Sequence, residues 1–321
     1  MSIFKNRRKE FGGLFIDKGM FRFISLTGSE GEIAVRHVSF GVIPDIHAGS
    51  DPFADYGAGI ENAFSYVLSK IGKLNMPIAI SIPTTESLLR IVTLPDMEIT
   101  EAKMAFKYDF ENYFPFTTET AVYDIAPIVY PLPDGAEEKR YIAVASRRRL
   151  IEKIMYAAEE QNIEIAVIEP AQIALERAVT PIVVPVDAAV YLYAGRENSV
   201  MILSWKGNGV FYRTLTDGFV EKTDSSDLQT VPYNSTQFSF VKQVYSSLQF
   251  AVSQMHGFNV DSVYLYGPGS SQDLCDLLKN TLNVATVLMT DPLRIHGIKL
   301  NASDNEAGMW EIPIGLALRY I

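Results

Sequence analysis

Asp17, Lys18 and Gly19 form the first candidate site, at the end of a short apolar run. In a glycine turn, backbone N–H groups can face the phosphates of a nucleotide, and an adjacent carboxylate can hold the waters of a magnesium ion. Met20 stands after the glycine, where a hydroxyl residue would complete such a site. The turn therefore predicts a phosphate site that lacks one of its usual oxygen groups.

A second turn contains Gly195 and Arg196, shortly after another apolar strand. Gly195 would again let the backbone approach a phosphate, while Arg196 either adds positive charge there or is simply solvated. In the first turn an acid, Asp17, stands two positions before the glycine. In the second turn Tyr193 stands at the matching position. Because magnesium relies on carboxylate partners, the substitution weakens the site. ATP with magnesium is therefore the one cofactor that the turns suggest, and hydrolysis is not expected.

A third turn, with Gly267 and Gly269, lies between a predicted strand and a predicted helix. Such a turn can approach an adenine or a ribose closely. Pro268 removes one N–H group that a phosphate would have used. The alternative is a tight strand-to-helix connection in which Ser270 or Ser271 caps the helix.

Other catalytic and metal-binding patterns are missing from the sequence. The four histidines are scattered, and no HExxH, GxSxG or GxxxxGK[ST] pattern occurs. We therefore assign no catalytic residue and no metal ligand. The net charge of −10 argues against a dedicated nucleic-acid binder, which needs a basic surface for phosphates.

A basic run stands near the beginning of the sequence. Residues 3–9 combine two apolar side chains with four cations, which suits either contact with an anionic membrane surface or a solvated tail. The sequence contains no secretory signal core and no apolar run long enough to span a bilayer. The single cysteine, Cys275, fits a reducing compartment. We therefore predict a cytoplasmic location.

An unusual density of aromatic residues marks the helix predicted over residues 100–113. Two stripes of large apolar side chains, on different faces, are more than one core contact requires. One stripe would then line a groove for a partner, or the helix is buried on both sides between two lobes. The candidate groove residues are Phe106, Tyr108, Phe110, Tyr113 and Phe114.

The arrangement of predicted elements shows the same pattern twice. Three hairpin-connected strands followed by alternating helices and strands occupy each half of the chain, which is the layout of the actin/Hsp70-like two-lobed α/β fold. We predict a first lobe at 10–186, with an inserted subdomain at about 85–160, and a second lobe at 187–321. The closing helix, 312–320, is expected to return toward the first lobe.

Several segments together resemble PilM-like proteins, the actin-like proteins of type IV pilus assembly platforms. The most specific is a leucine-proline step followed by a helix that ends in Tyr113, Phe114, Pro115 and Phe116. The segments that carry the resemblance are 15–19, 82–83, 94–97, 110–116, 141–146, 247–250, 260–267 and 314–319.

The resemblance implies a bilobal actin-like fold with the inserted subdomain also found in the cell-division protein FtsA. It further implies ATP in the cleft and a groove, between the first lobe and the inserted subdomain, for the cytoplasmic tail of a PilN-like inner-membrane protein. It connects the chain to pilus motor ATPases, at the inner face of the bacterial inner membrane. The cytoplasmic region of GspL-like type II secretion proteins is a related resemblance.

Three positions depart from the family's nucleotide motifs. The family normally has Ser or Thr at Met20, Asp at Tyr193 and Gly at Pro268. The departures favour a scaffold or adaptor with a degenerate nucleotide site, a pseudo-ATPase. The alternative is an ATP-dependent switch or filament protein of the same machine. A small-molecule kinase is less favoured, because no catalytic aspartate has a supporting motif.

Overall fold

The computed structural model describes residues 9–17, 20–29, 32–44, 58–133, 137–180, 187–196, 198–219, 233–255, 258–290, 297–298, 300 and 310–321. The strands are β1 (Lys9–Asp17), β2 (Met20–Ser29), β3 (Glu32–Val42), β4 (Ile78–Ile82), β5 (Ser87–Pro95), β6 (Ala121–Ile128), β7 (Glu138–Arg147), β8 (Ile165–Pro170), β9 (Ala188–Tyr193), β10 (Ser199–Trp205), β11 (Asn208–Leu215), β12 (Ser262–Tyr266) and β13 (Ala285–Leu288). The helices are α1 (Ala58–Ile71), α2 (Ile99–Tyr113), α3 (Arg148–Glu160), α4 (Ala171–Val179), α5 (Tyr233–Ser253), α6 (Gln272–Leu282) and α7 (Glu311–Ala317), and a 3₁₀ turn covers Leu318–Tyr320.

Two five-stranded sheets share one topology. Their strand orders are β3-β2-β1-β4-β8 and β11-β10-β9-β12-β13. In each sheet two antiparallel hairpins join the first three strands, and two strands then add in parallel. The strands are rich in branched and aromatic residues, which favour a pleated, half-buried surface. The predicted duplication is therefore present as two lobes.

The core of the first lobe lies between its sheet and two helices. Phe64 of α1 and Ile154 of α3 pack into the same buried cluster as Phe21 and Ile80. The helical spacing of apolar residues in α1 and α3 provides the buried stripe for this contact. Because α3 belongs to this core, the insertion predicted at 85–160 is corrected to β5 through β7.

The second lobe has the largest buried cluster, formed between its sheet, α5 and α6. Phe240 and Val244 of α5 pack with Val263 of β12 and Leu278 of α6. Ser271 caps α6, since its hydroxyl accepts the N–H of Leu274 at 3.2 Å. This cap satisfies one of the free donors at the start of the helix.

The inserted subdomain is a three-stranded antiparallel sheet, β5-β7-β6, with α2 on one face. Its core combines Phe106 and Phe110 of α2 with Val92, Tyr141 and Ala143 of the sheet. The two α2 residues stand four positions apart, so they project from the same side of the helix.

Two helices, α4 and α7, lie between the lobes. Close approach requires glycine: a side-chain carbon on Gly13 of β1 would lie 2.0 Å from the carbonyl oxygen of Pro313. A side-chain carbon on Gly315 would lie 1.9 Å from the carbonyl oxygen of Ala174. The closing helix α7 thus packs on both β1 of the first lobe and α4.

An ion-pair cluster around the buried carboxylate of Glu169 ties the last described turn to α4. Glu169, at the end of β8, accepts from both terminal nitrogens of Arg177, at 2.5 and 2.9 Å, and from Arg319. Arg177 also donates to the carbonyl oxygen of Gly315 at 2.7 Å. Such a cluster is costly to disrupt, because removal of one partner leaves a buried charge.

None of the helices in the described ranges is long and apolar enough to cross a bilayer.

Candidate functional sites in the cleft and on the inserted subdomain

The first predicted turn is described only at its two ends. Asp17 closes β1 and pairs with Met20 at the start of β2. Lys18 and Gly19 lie outside the described residues, so their predicted roles toward a phosphate stay predictions.

The second turn has its backbone already engaged. The N–H of Gly195 donates to the hydroxyl of Ser199 at 3.2 Å, and its carbonyl accepts the N–H of Phe219 at 3.0 Å. A side-chain carbon at Gly195 would lie 2.0 Å from the carbonyl oxygen of Asn198, so the glycine serves a close approach inside the turn. Arg196 is exposed beside it. The N–H group that would face a phosphate therefore has a protein partner.

The third turn packs directly against the second. The N–H of Gly269 donates to the carbonyl of Ala194 at 2.9 Å, and the N–H of Ala194 donates to Tyr266 at 2.8 Å. Gly267 has a φ of +100°, a conformation that favours glycine. The Ser270 hydroxyl donates to the carbonyl of Gly267 at 2.7 Å. The structure thus brings Gly195, Gly267 and Gly269 together and links them to one another.

Phe219 covers the third turn and was missed from the sequence. A side-chain carbon placed on Gly269 would lie 2.4 Å from Cβ and Cγ of Phe219, so the glycine accommodates this side chain. The ring also contacts Phe240 of α5 edge to face, at 5.2 Å between centroids. The available signal was a phenylalanine near the start of a predicted polar loop.

Tyrosines line the side of the second sheet that faces the first lobe. The rings of Tyr193 and Tyr266 lie 5.5 Å apart, and those of Tyr191 and Tyr264 lie 5.7 Å apart. Burial and the nearby Glu311 raise the pKa of Tyr266 well above its ordinary value. Its buried hydroxyl has no hydrogen-bond partner among the described residues. A phenol with a raised pKa stays neutral at physiological pH.

The aromatic residues of α2 divide into a core set and a surface set. Phe106, Phe110 and Phe114 are buried in the core of the inserted subdomain, in ring contact with one another. These three cannot line an open groove, which corrects the prediction for them. Tyr113 is half-buried, and Tyr108 is 91% exposed on the outer surface. Only the last two are accessible to a partner.

The opposite face of the same sheet is apolar and was not recognised from the sequence. Leu89 and Ile142 are buried, Ile91 and Val144 are half-buried, and Val122 is 38% exposed. None of these side chains belongs to the five hydrophobic clusters of the described ranges. Their alternation with core residues along β5 and β7 was the available signal. We call this set the open face.

The open face is bordered by both lobes. Strand β11 of the second lobe contacts β5 and β6, and α3 of the first lobe contacts β6 and β7. At one end the guanidinium of Arg140 lies 5.5 Å from the ring centre of Tyr130. Burial raises the pKa of Tyr130, and the charge of Arg140 opposes that rise. The face is therefore bordered by elements of both lobes, with Tyr130 and the Arg140–Glu138 ion pair at one end.

The free edge of β6 is poorly suited to the addition of another strand. The N–H of Ile125 is occupied by the carboxylate of Asp124 at 2.9 Å, and Pro127 has no N–H group. Edge strands that carry such blocks resist strand pairing. An occupant on the β6 side would therefore lie on the open face rather than extend the sheet from β6. Within the described ranges, no three His, Cys, Asp or Glu side chains group as metal ligands.

No protein-family model matches the sequence, and no curated protein matches it. A solved structure of a PilM–PilN type IV pilus biogenesis complex aligns with a TM-score of 0.68 at 18% identity, over 97% of this chain and 98% of that chain. The cytoplasmic domain of EpsL, an inner-membrane component of the type II secretion system of Vibrio cholerae, aligns with a TM-score of 0.49 at 9% identity, over 91% and 97% of the two chains. A protein with an actin-like ATPase fold from Bacteroides thetaiotaomicron aligns with a TM-score of 0.49 at 11% identity, over 93% and 100%.

The fold of this chain is the actin-like two-lobed fold with an inserted subdomain, as the sequence predicted. The resemblance to PilM-like proteins is confirmed at the level of the fold.

Proposed function

We propose that the chain is a scaffold of a type IV pilus or related secretion platform and binds the cytoplasmic tail of a PilN-like membrane protein. The observation that carries the proposal is the full-length structural likeness to a chain of a PilM–PilN complex. Because the aligned regions cover nearly the whole of both chains, the likeness extends to the inserted subdomain rather than to the lobes alone.

The open face is the proposed position of the tail. It presents side chains that pack into none of the hydrophobic clusters of the described residues, and it lies between the inserted sheet, α3 and β11. An extended apolar peptide would bury the exposed parts of Ile91, Val122 and Val144 and gain roughly 25 cal/mol for each Å² removed from water. The blocked edge of β6 favours packing on the open face over strand addition at that edge.

Fluorescence anisotropy with a labelled peptide from the cognate PilN-like tail tests the proposal. We expect saturable binding by the full chain and none with a scrambled peptide of the same composition. Absence of binding to the tail of any neighbouring membrane component, by a chain shown to be folded, would refute the assignment.

We further propose that the cleft neither requires nor hydrolyses ATP. The N–H groups of Gly195 and Gly269 already have partners inside the protein, and the Phe219 side chain packs on Gly269. Met20 stands in place of a hydroxyl residue and Tyr193 in place of a carboxylate, the two groups on which the magnesium site relies. We expect no heat in a calorimetric titration with Mg-ATP. Micromolar binding instead, together with ATP-dependent assembly in sedimentation, would favour the alternative of a nucleotide-driven switch or filament.

Peripheral membrane contact through residues 3–9 and a link to pilus motor ATPases are parts of the same proposal. The four cations of this segment would face anionic lipid headgroups at the inner membrane. Co-sedimentation with anionic vesicles should then fall when Lys5, Arg7 and Arg8 are replaced by Gln, and unchanged co-sedimentation would leave the segment as a solvated tail.

A further inference from the structure

Helix α4 is held to the second lobe by two polar side chains one turn apart. The side-chain amide of Gln172 donates to the hydroxyl of Thr214 at 3.3 Å. The carboxylate of Glu176 accepts the N–H of Gly209 at 2.7 Å and the hydroxyl of Tyr212. Burial raises the pKa of Glu176, and its two donors oppose that rise. All three partners belong to β11, so α4 and β11 are joined at two points.

Gln172 also reaches the inserted subdomain. Its amide oxygen accepts the hydroxyl of Ser87, the first residue of β5, at 3.2 Å. Both Gln172 and Ser87 are buried. Loss of either bond would leave an unpaired polar group inside the protein, which is unfavourable. A single side chain therefore connects the first strand of the inserted sheet with the third strand of the second lobe.

The Ser87 hydroxyl has two acceptors for one proton. The carbonyl oxygen of Pro83 and the amide oxygen of Gln172 both lie 3.2 Å from its oxygen. A serine hydroxyl donates only one hydrogen. The proton therefore has two alternative positions, one in the connection from β4 and one toward α4. Such a pair of discrete arrangements is what coupling between two sites requires.

We infer that Gln172 is a positioning residue that couples the placement of the inserted sheet to the placement of the second lobe. When the second lobe moves and the bond to Thr214 breaks, the Gln172 amide is free to turn. Its hold on Ser87 then weakens, and the hydroxyl of Ser87 transfers its hydrogen bond to Pro83. Ser87, at the start of β5, then no longer has a hydrogen bond to α4. This inference does not depend on the identity of any partner.

Hydrogen exchange of the full chain tests the coupling in a double-mutant design. Thr214→Val removes the hydroxyl on β11 and keeps the shape of the side chain. We expect it to speed amide exchange in β5 by about two- to tenfold, the effect of one lost hydrogen bond. In a Gln172→Leu background the same substitution should leave β5 exchange unchanged. Circular dichroism establishes that each variant is folded.

A matched control separates this path from general loosening of the interface. Tyr212→Phe removes the neighbouring bond to Glu176, which does not involve the inserted subdomain. It should speed exchange in β11 and leave β5 within about twofold of the unmodified chain. Because β5 and β11 also contact each other directly, the comparison across the Gln172 backgrounds decides the route.

Two outcomes would overturn the inference. One is an unchanged β5 exchange rate in Thr214→Val. The other is an equal acceleration with and without Gln172, since the coupling would then pass through direct contact of the strands. If Gln172→Leu does not fold, Ser87→Ala serves as the second background, because it removes the same link at its other end. Thr214→Val should again have no effect on β5 there.

Discussion

The two faces of the inserted sheet differ in how completely their side chains are buried. The face toward α2 is closed by an aromatic cluster in which Phe110 contacts the rings of Phe106, Phe114 and Tyr123. The open face carries aliphatic side chains, with Val144 and Ile91 only half-buried. The aromatic residues therefore form the core of this subdomain. The aliphatic side chains of the open face keep part of their surface exposed.

Removal of a core aromatic should have the largest effect. Phe106→Ala would create a cavity among four rings and should destabilise the inserted subdomain by about 3–5 kcal/mol. Both tryptophans, Trp205 and Trp310, lie outside this subdomain. In chemical denaturation, loss of hydrogen-exchange protection in α2 should then come at a lower denaturant concentration than the change in tryptophan emission. Coincident transitions at the unmodified midpoint would show that the α2 face is not a closed core.

A matched pair of substitutions compares the two faces directly. Val92 is buried in the core toward α2, whereas Val144 is half-buried on the open face. Val92→Thr places a hydroxyl in an apolar core and should cost about 1–3 kcal/mol. Val144→Thr should cost under about 1 kcal/mol, because water and a rotated hydroxyl are available there. Equal decreases of the denaturant midpoint in the two variants would show that the two faces are equally sensitive to a buried hydroxyl.

The outer surface of α2 should show the smallest effect. Tyr108→Ser removes a side chain that is 91% exposed, and its free energy of unfolding should change by less than about 0.5 kcal/mol. A larger loss would contradict the exposed position of Tyr108 on α2.

The repeated hairpin pattern was readable in the sequence because it depends on local alternation and on glycine turns. The insertion was also recognised, but its end was not. Helix α3 carries an apolar stripe, and such a stripe does not say which sheet it packs against. Its apolar residues share a buried cluster with Phe64 and Ile80, which places it in the core of the first lobe. This long-range choice could not be read from spacing.

The same limit explains the corrected groove residues. Phe106 and Phe110 were expected to be available to a partner because aromatic density exceeded the need of one core. In the structure β6 and β7 supply a second wall for those rings, including Tyr123 and Tyr141. The role of Phe219 was hidden for a related reason, since its packing on Gly269 joins distant segments.

The most direct test of the central claim pairs two exposed apolar residues on opposite sides of the inserted subdomain. Val122 is 38% exposed on the open face, and Met104 is 63% exposed on the outer surface of α2. Each is replaced by Asp, and affinity for the PilN-like tail peptide is measured by anisotropy. The account predicts that Val122→Asp weakens binding at least about tenfold, or 1.4 kcal/mol, while Met104→Asp leaves it within about twofold. Loss of binding in Met104→Asp with Val122→Asp unaffected would contradict the account and return the partner site to the surface of α2.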